Sequence, residues 1–248
     1  MGLFISVVNH HHDDLIIECN TLSKLSNQYE IIIKSNTVPT PALKKYCEES
    51  QIHLLTSHKI TGFGANNNEV FEFCISQLKM QPDDYFLVLN PDVIISGTEI
   101  KSLLKSASDY NADISAINLY RNKTKTEYDN SIRHYHSLLN PLKSLIGLPR
   151  HDIYDKSAIK QPIVIDWAAG SFLLFKTRCY QDLNGFDEKY FMYFEDVDIC
   201  KRANKKGNTV MYFPQIEAIH LAALSNRKLF SKYFILYMRS LIKYHIGI

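Results

Sequence analysis

Residues 85–92, Tyr-Phe-Leu-Val-Leu-Asn-Pro-Asp, form an apolar run stopped by three turn-forming residues. Such a run, short and uninterrupted, reads as a strand covered on both faces. The same unit precedes it three times. Leu3–Val8, Glu30–Lys34 and Ile52–Thr56 read as strands. Helical patterns follow at Asp13 to about Leu25, at Pro41–Glu49 and at Ala65 to about Leu78. Strand–helix alternation four times over predicts an α/β fold with a doubly wound, mostly parallel central sheet and helices on both faces. Ligands in such sheets bind beyond the carboxyl ends of the strands, where Asn9–His12, Ser35–Asn36 and Asn90–Asp92 fall.

The chain has 248 residues, 46% of them hydrophobic and 22% charged, which describes a globular protein and excludes a disordered one. A formal charge of +2 gives no general case for nucleic acid. The charge is unevenly spread, because Glu217 is the last acid and a basic segment follows it. Five scattered cysteines suit reduced thiols in a cytosolic protein better than a disulfide framework or a zinc site. The apolar start is too short for a signal peptide, and no run is long enough to span a membrane.

The second half is less regular. Asp113–Leu119 reads as a strand, and Tyr120 to about Gln161 shows no periodicity, as in a functional or mobile connection. Ile163–Asp166 and Ser171–Phe175 flank Trp167-Ala168-Ala169-Gly170, and Thr209–Phe213 reads as a later strand. Asn226–Ile246 is basic and aromatic with helical spacing, suiting a helix packed on the domain or lying on anionic lipid.

Chemistry concentrates in Gly185–Arg202, GFDEKYFMYFEDVDICKR, where five acids lie among large apolar groups. Acids so placed need a compensating role: capping, pairing, metal binding or proton transfer. A helix starts after Phe194, and counting from Asp196 puts Ile199, Cys200 and Ala203 on its inner face. Asp196 is therefore the inward acid, while Glu195 and Asp198 suit the helix dipole. Asp92 at a strand end suits a cation held with substrate phosphates, or an ordinary turn. Gly62-Phe63-Gly64 with Asn66-Asn67-Asn68 could offer backbone N–H groups to an anion, or simply cap a helix. His10-His11-His12 cannot converge on one ion, which leaves one of them to touch substrate. His220 gains interest only if the fold brings it to Asp92.

In their order along the chain, these motifs resemble family 2 glycosyltransferases of GT-A fold, above all bacterial rhamnosyltransferases of O-antigen and related surface polysaccharides. The carriers are the first strand, Gly62-Phe63-Gly64 with the Asn run, Asn90-Pro91-Asp92, Trp167–Ser171, Gly185–Glu188, Phe191–Asp198 and His220. The resemblance implies inverting transfer of L-rhamnose from dTDP-L-rhamnose to a polyprenyl-diphosphate-linked saccharide, at the cytoplasmic face of the membrane. Asp196 would be the general base. Asp92 and His220 would hold Mg²⁺ or Mn²⁺. Asn9, His10, Asn36, Gly62, Phe63, Asn67 and Asn90, with Asp92, would lie by the donor, and Trp167, Ala169, Gly170 and Glu195 by the acceptor. Residues 1–222 would form the catalytic domain, with a donor half to about 119 and an acceptor half from about 120. Residues 223–248 would form the membrane-associating helix.

Two positions depart from the family pattern. Asn90 stands where many relatives carry the first acid of Asp-x-Asp, and Ser35 where many carry an Asp against the base. The alternatives are a UDP-hexose or galactofuranose donor, or a catalytically silent nucleotide-sugar-binding subunit.

Overall fold

A computed structural model describes residues 1–57, 59–135, 152–221 and 232–246. Its strands are β1 (Leu3–Asn9), β2 (Glu30–Ser35), β3 (His53–Thr56), β4 (Tyr85–Leu89), β5 (Val93–Ile94), β6 (Ile114–Tyr120), β7 (Ile132–Arg133), β8 (Ile163–Val164), β9 (Trp167–Ala168), β10 (Phe172–Lys176) and β11 (Val210–His220). The helices are α1 (Asp13–Cys19), α2 (Thr21–Leu25), α3 (Pro41–Glu49), α4 (Phe63–Ser76), α5 (Gly97–Asp109), α6 (Thr177–Asp182), α7 (Glu195–Lys205) and α8 (Lys232–Ile246).

The main sheet runs β3-β2-β1-β4-β10-β6-β11-β5, with β8 on β11, and β7 pairs separately with β9. Parallel pairing carries its longer ladders, β3 through β4 and β6 with β11. β10 is inserted antiparallel between β4 and β6 and joins the two halves. The reason β4 is apolar throughout is now visible. Phe86 and Val88 enter a core shared with Phe71, Tyr180 and Ile199, while Tyr85, Leu87 and Leu89 enter the opposite core with Ile5, Leu43 and Leu103. Side chains alternate across a strand, so a sheet covered on both sides needs apolar residues at every position.

Two expectations change. The single helix from Asp13 is two, because Asn20 turns left-handed (φ +48°) and ends α1, a conformation Asn tolerates. The strand predicted at Thr209–Phe213 runs on to His220 through a register shift between Phe213 and Glu217, which contains Pro214. Pro cannot donate to a ladder, so the irregularity falls there. The extension brings His220 opposite Val93 of β5, one residue from Asp92. Helices α5 and α6 are additional to the predicted elements; α5 opens on Ser96, whose side chain accepts from Glu99 N, and buries Ile100, Leu103 and Ala107. The predicted start of the tail helix at Asn226 lies outside the described residues.

Helix α8 packs inward through Tyr237, Met238, Leu241 and Tyr244. Ile235, Arg239, Ile242 and Ile246 follow the helical repeat along its outer side and are exposed. Among the described residues no helix is long and apolar enough to cross a membrane.

Gly185 sits at φ +65°, and a Cβ there would collide with Asn68 Oδ1. That oxygen accepts from Phe186 N (2.9 Å) and Tyr180 Oη (2.7 Å), so it has no room to retreat. Gly185→Ala should lower stability by about 2 kcal/mol or more. The check is the urea midpoint at unchanged m-value.

Candidate active site

Two clusters meet at the carboxyl ends of the central strands. The first is built on the turn after β4. Asn90 N donates to Ser171 O (2.9 Å), and Asp92 follows as a buried carboxylate. His220 reaches it from the end of β11, with Nε2 3.3 Å from Asp92 Oδ1. The other ring nitrogen, Nδ1, lies 2.5 Å from Asp129 Oδ2. Burial disfavours charge on His220, but the two carboxylates outweigh it and push its pKa up to about 9. Asp129 is itself desolvated, and its bond to His220 still holds it below the ordinary carboxylate range.

This geometry bears on a divalent cation. Among the described residues no three His, Cys, Asp or Glu side chains gather around one point. His220 lies between its two acids, so only Asp92 and Nε2 can converge on an ion. Asp129 instead fixes the ring through Nδ1, the usual outer partner of a metal-binding imidazole. One carboxylate and one imidazole fit a cation whose remaining ligands are phosphate oxygens and water.

The second cluster surrounds Asp196 in the first turn of α7. Its Oδ2 accepts from Gly170 N (3.1 Å), and its Oδ1 accepts from Val197 N (2.8 Å). A Cβ on Gly170 would lie 3.1 Å from Phe63 Cε1 and 3.7 Å from the Asp196 Cβ, so glycine lets the backbone come close to the acid. Burial raises the Asp196 pKa, with the two N–H bonds and the Arg133 charge opposing it. Glu195, only 5% exposed, is the more deeply placed acid, which corrects the helical-face count. Ile199, Cys200 and Ala203 do point inward, but the chain enters α7 through left-handed Tyr193 and Phe194, which leaves Asp196 at the rim. Glu195 Oε2 has no partner among the described residues. Burial, with the Asp196 charge adding to it, raises the Glu195 pKa well above its ordinary value and so favours its neutral form.

Several residues assigned to the donor turn out to hold the scaffold. Asn67 is fully buried, donating to Phe63 O and accepting from Ser6 Oγ. Asn9, equally buried, bonds Asp13, Ser35 and the His12 amide. Asn36 pairs both ways with Thr61, joining the loop after β2 to the approach to α4. The amide of Phe63 donates to Phe191 O (2.9 Å), and a Cβ on Gly62 would lie 2.7 Å from that oxygen. At the start of α4, Gly62 and the Phe63 amide thus lie against the backbone of Tyr190 and Phe191. His10 is half-buried, edge-on to His11. Trp167 is buried, donates Nε1–H to His134 O, and has Arg133 5.6 Å above its ring. Ala169 N donates to Ser131 O (2.7 Å), and Asn90 remains half-buried beside Asp92.

Asp129, Ser131, Arg133 and Lys156 escaped the sequence reading, since they lie in the aperiodic stretch. Lys156 Nζ donates to Ser131 Oγ (2.9 Å), and burial lowers its pKa to about 7 against the pull of Asp129.

The family model described as "Glycosyl transferase family 2" matches residues 16–177. The chain belongs to that family. It is a glycosyltransferase. It is 33% identical over 244 residues to rhamnosyltransferase WbbL of Escherichia coli K12, covering 98% of this chain and 92% of that one. A Mycobacterium tuberculosis protein named N-acetylglucosaminyl-diphospho-decaprenol L-rhamnosyltransferase is 29% identical over 198 residues, 75% of this chain and 63% of its own. Among solved structures, GalNAc-T7 with UDP, GalNAc and Mn²⁺ aligns at TM-score 0.69 and 11% identity, over 98% of this glycosyltransferase and 47% of that chain. S. aureus TarS 1-349 with UDP aligns at 0.60 and 12% identity, over 88% and 60%. Those likenesses concern the fold, which is GT-A.

With its native pKa raised, Glu195 holds its proton to higher pH in the folded chain than in the unfolded one. Its contribution to stability is full below the unfolded pKa and is lost as pH rises through the raised native value. Glu195→Gln removes that dependence. Its stability relative to the parent should rise by up to about 1.4 kcal/mol per pH unit above about pH 4.5. Urea unfolding of both proteins at pH 5 and pH 8 provides the measurement.

Proposed function

We propose that this glycosyltransferase moves L-rhamnose from dTDP-L-rhamnose, with inversion, to a polyprenyl-diphosphate-linked saccharide. The observation that carries the reading is Asp196, a carboxylate of raised pKa held by Gly170 N–H beside the strand-end pair Asp92–His220. Likeness to the two rhamnosyltransferases supports the choice of sugar.

An acceptor hydroxyl gives its proton to Asp196 while its oxygen attacks the anomeric carbon from the face opposite the diphosphate. The bond from that carbon to the diphosphate oxygen breaks, and dTDP leaves with the electron pair. A positioned base of this kind contributes about 10²–10⁴-fold. Burial that favours the neutral form of Glu195 leaves the outer acid to carry the charge, since close carboxylates resist joint ionisation. A bound Mg²⁺ or Mn²⁺ would neutralise charge on the departing diphosphate. Asp92 and His220 would hold it, and Asp129 would keep Nε2 turned to it. Asn90, with His10, borders the donor, while Gly170, Ala169 and Arg133 border the acceptor. Residues 1–119 thus serve the donor and 120–222 the acceptor.

The helix within 223–248 is the membrane contact, at the cytoplasmic face. Ile235, Ile242 and Ile246 are exposed along one side of α8 with Arg239 among them, and no acid follows Glu217. Such a face suits the interface of an anionic bilayer.

Incubation with dTDP-L-rhamnose and a polyprenyl-diphosphate sugar should give a rhamnosylated lipid and free dTDP. Asp196→Asn should cut turnover at least 100-fold and spare donor affinity, as a lost general base requires. Turnover with a UDP-hexose and none with dTDP-rhamnose would overturn the choice of sugar. Separately, Ile235→Ser with Ile242→Ser and Ile246→Ser should release the protein from phosphatidylglycerol vesicles in a sedimentation assay. Undiminished pelleting would refute the α8 contact.

A further inference from the structure

Tyr193 and Phe194 are consecutive residues with positive φ, +68° and +71°. Two neighbouring aromatic residues in the left-handed region are disfavoured, because the Cβ crowds the backbone. Such a conformation persists only where the surroundings over-determine it. Here it also sets the direction in which the chain enters α7, and so the aim of Glu195 and Asp196.

The segment leading into this turn is held on two sides. On one side Phe191 O accepts from Phe63 N at the start of α4. On the other, the restraint comes from helix α8. Ser240 Oγ donates to Met192 O (2.8 Å), and Lys243 Nζ donates to Lys189 O (2.6 Å). The Tyr237 ring lies 5.9 Å from that of Tyr193 and 5.4 Å from that of Phe194, and the Tyr244 ring 5.3 Å from Phe194. Lys201 of α7 sits 4.5 Å over the Tyr244 ring, tying the two helices together. The two α8 hydrogen bonds reach main-chain carbonyls. They therefore restrain the backbone path into the turn, whatever side chains line it. Ser240 is buried, which shields this bond from solvent.

We infer that Ser240 and Lys243 are positioning residues of the transferase, acting through residues 189–194 on the aim of Asp196. This rests on the reading of Asp196 as the proton acceptor. The tail helix then has two working sides. Its outer side carries the exposed isoleucines, and its inner side clamps the left-handed turn. Neither residue touches the reacting atoms. Their loss relaxes the turn and moves Asp196 relative to the acceptor hydroxyl, while the Asp92–His220 end is unchanged.

The test uses the full chain with Ser240→Ala and Lys243→Met combined, beside the conservative pair Ser240→Thr and Lys243→Arg. Transfer is measured with dTDP-L-rhamnose and the polyprenyl-diphosphate sugar, and amide hydrogen exchange is followed in parallel. The disruptive pair should lower kcat at least tenfold, leave the donor KM within twofold, and speed exchange across residues 189–198 but not in β4. The conservative pair should restore kcat to within threefold of the parent. An unchanged kcat in the disruptive pair, with an active parent, would overturn the inference. So would a fall in kcat matched by a rise in donor KM and faster exchange in β4, which marks general loosening. If the parent itself transfers no rhamnose, the functional reading fails, and exchange alone decides the clamp. Unchanged protection of residues 189–198 would then refute it.

Discussion

The loop Ala169-Gly170-Ser171 has to satisfy three distant partners at once. Ala169 N bonds Ser131 O, Gly170 N bonds the Asp196 carboxylate, and Ser171 O accepts from Asn90 N. Each bond is ordinary in strength, about 1 kcal/mol net for neutral pairs and more for the one to the carboxylate. Their joint effect is geometric. One three-residue loop fixes the turn that carries Asp92, the acid at the head of α7 and the segment that supplies Asp129 and Arg133. Strand β10 begins at the next residue and runs between β4 and β6, so the loop inherits the rigidity of the sheet.

Titratable groups inside this frame come in pairs whose environments separate them. Glu195 lies deeper than Asp196 and lacks a partner at Oε2, while Asp196 has two N–H donors. Donors to a carboxylate favour its ionised form, and desolvation without donors favours the neutral form. Protonation is thus favoured on the inner acid, and the outer acid is the better placed to exchange a proton. The His220 ring shows the converse: acids at both nitrogens favour its charged form, and a cation held at Asp92 would take the place of the Nε2 proton.

Much of this was legible in the residues. The all-apolar run of β4, the alternation that preceded it and the turn at Asn90-Pro91-Asp92 needed only periodicity and turn chemistry. Asp196 and Gly170 stood out by motif, and the structure joins them by a hydrogen bond. What escaped depended on long-range pairing. Asp129 gains meaning only when β11 delivers His220, and the strand pattern in the sequence extends only to Phe213. Asn9, Asn36 and Asn67 lie where a ligand site was expected, but sequence cannot tell an amide that faces a cleft from one spent on a neighbouring loop. Glu195 and Asp196 exchanged depth because a left-handed entry to a helix leaves no trace in a helical count.

The irregularity in β11 acts as a phase setter. On its near side Phe213 faces Ile117, and on its far side Glu217 already faces Asn118. Side chains of a strand alternate strictly, so the length of chain absorbed there decides which parity of residue points to which face. Gaining or losing one residue between Phe213 and Glu217 would exchange the sides of Ile219 and His220. An imidazole aimed at Asp92 would become an isoleucine on a gain or a leucine on a loss, with every residue of the site still present. The spacing of this segment is thus a constraint on insertions and deletions as strict as the identity of any side chain it serves.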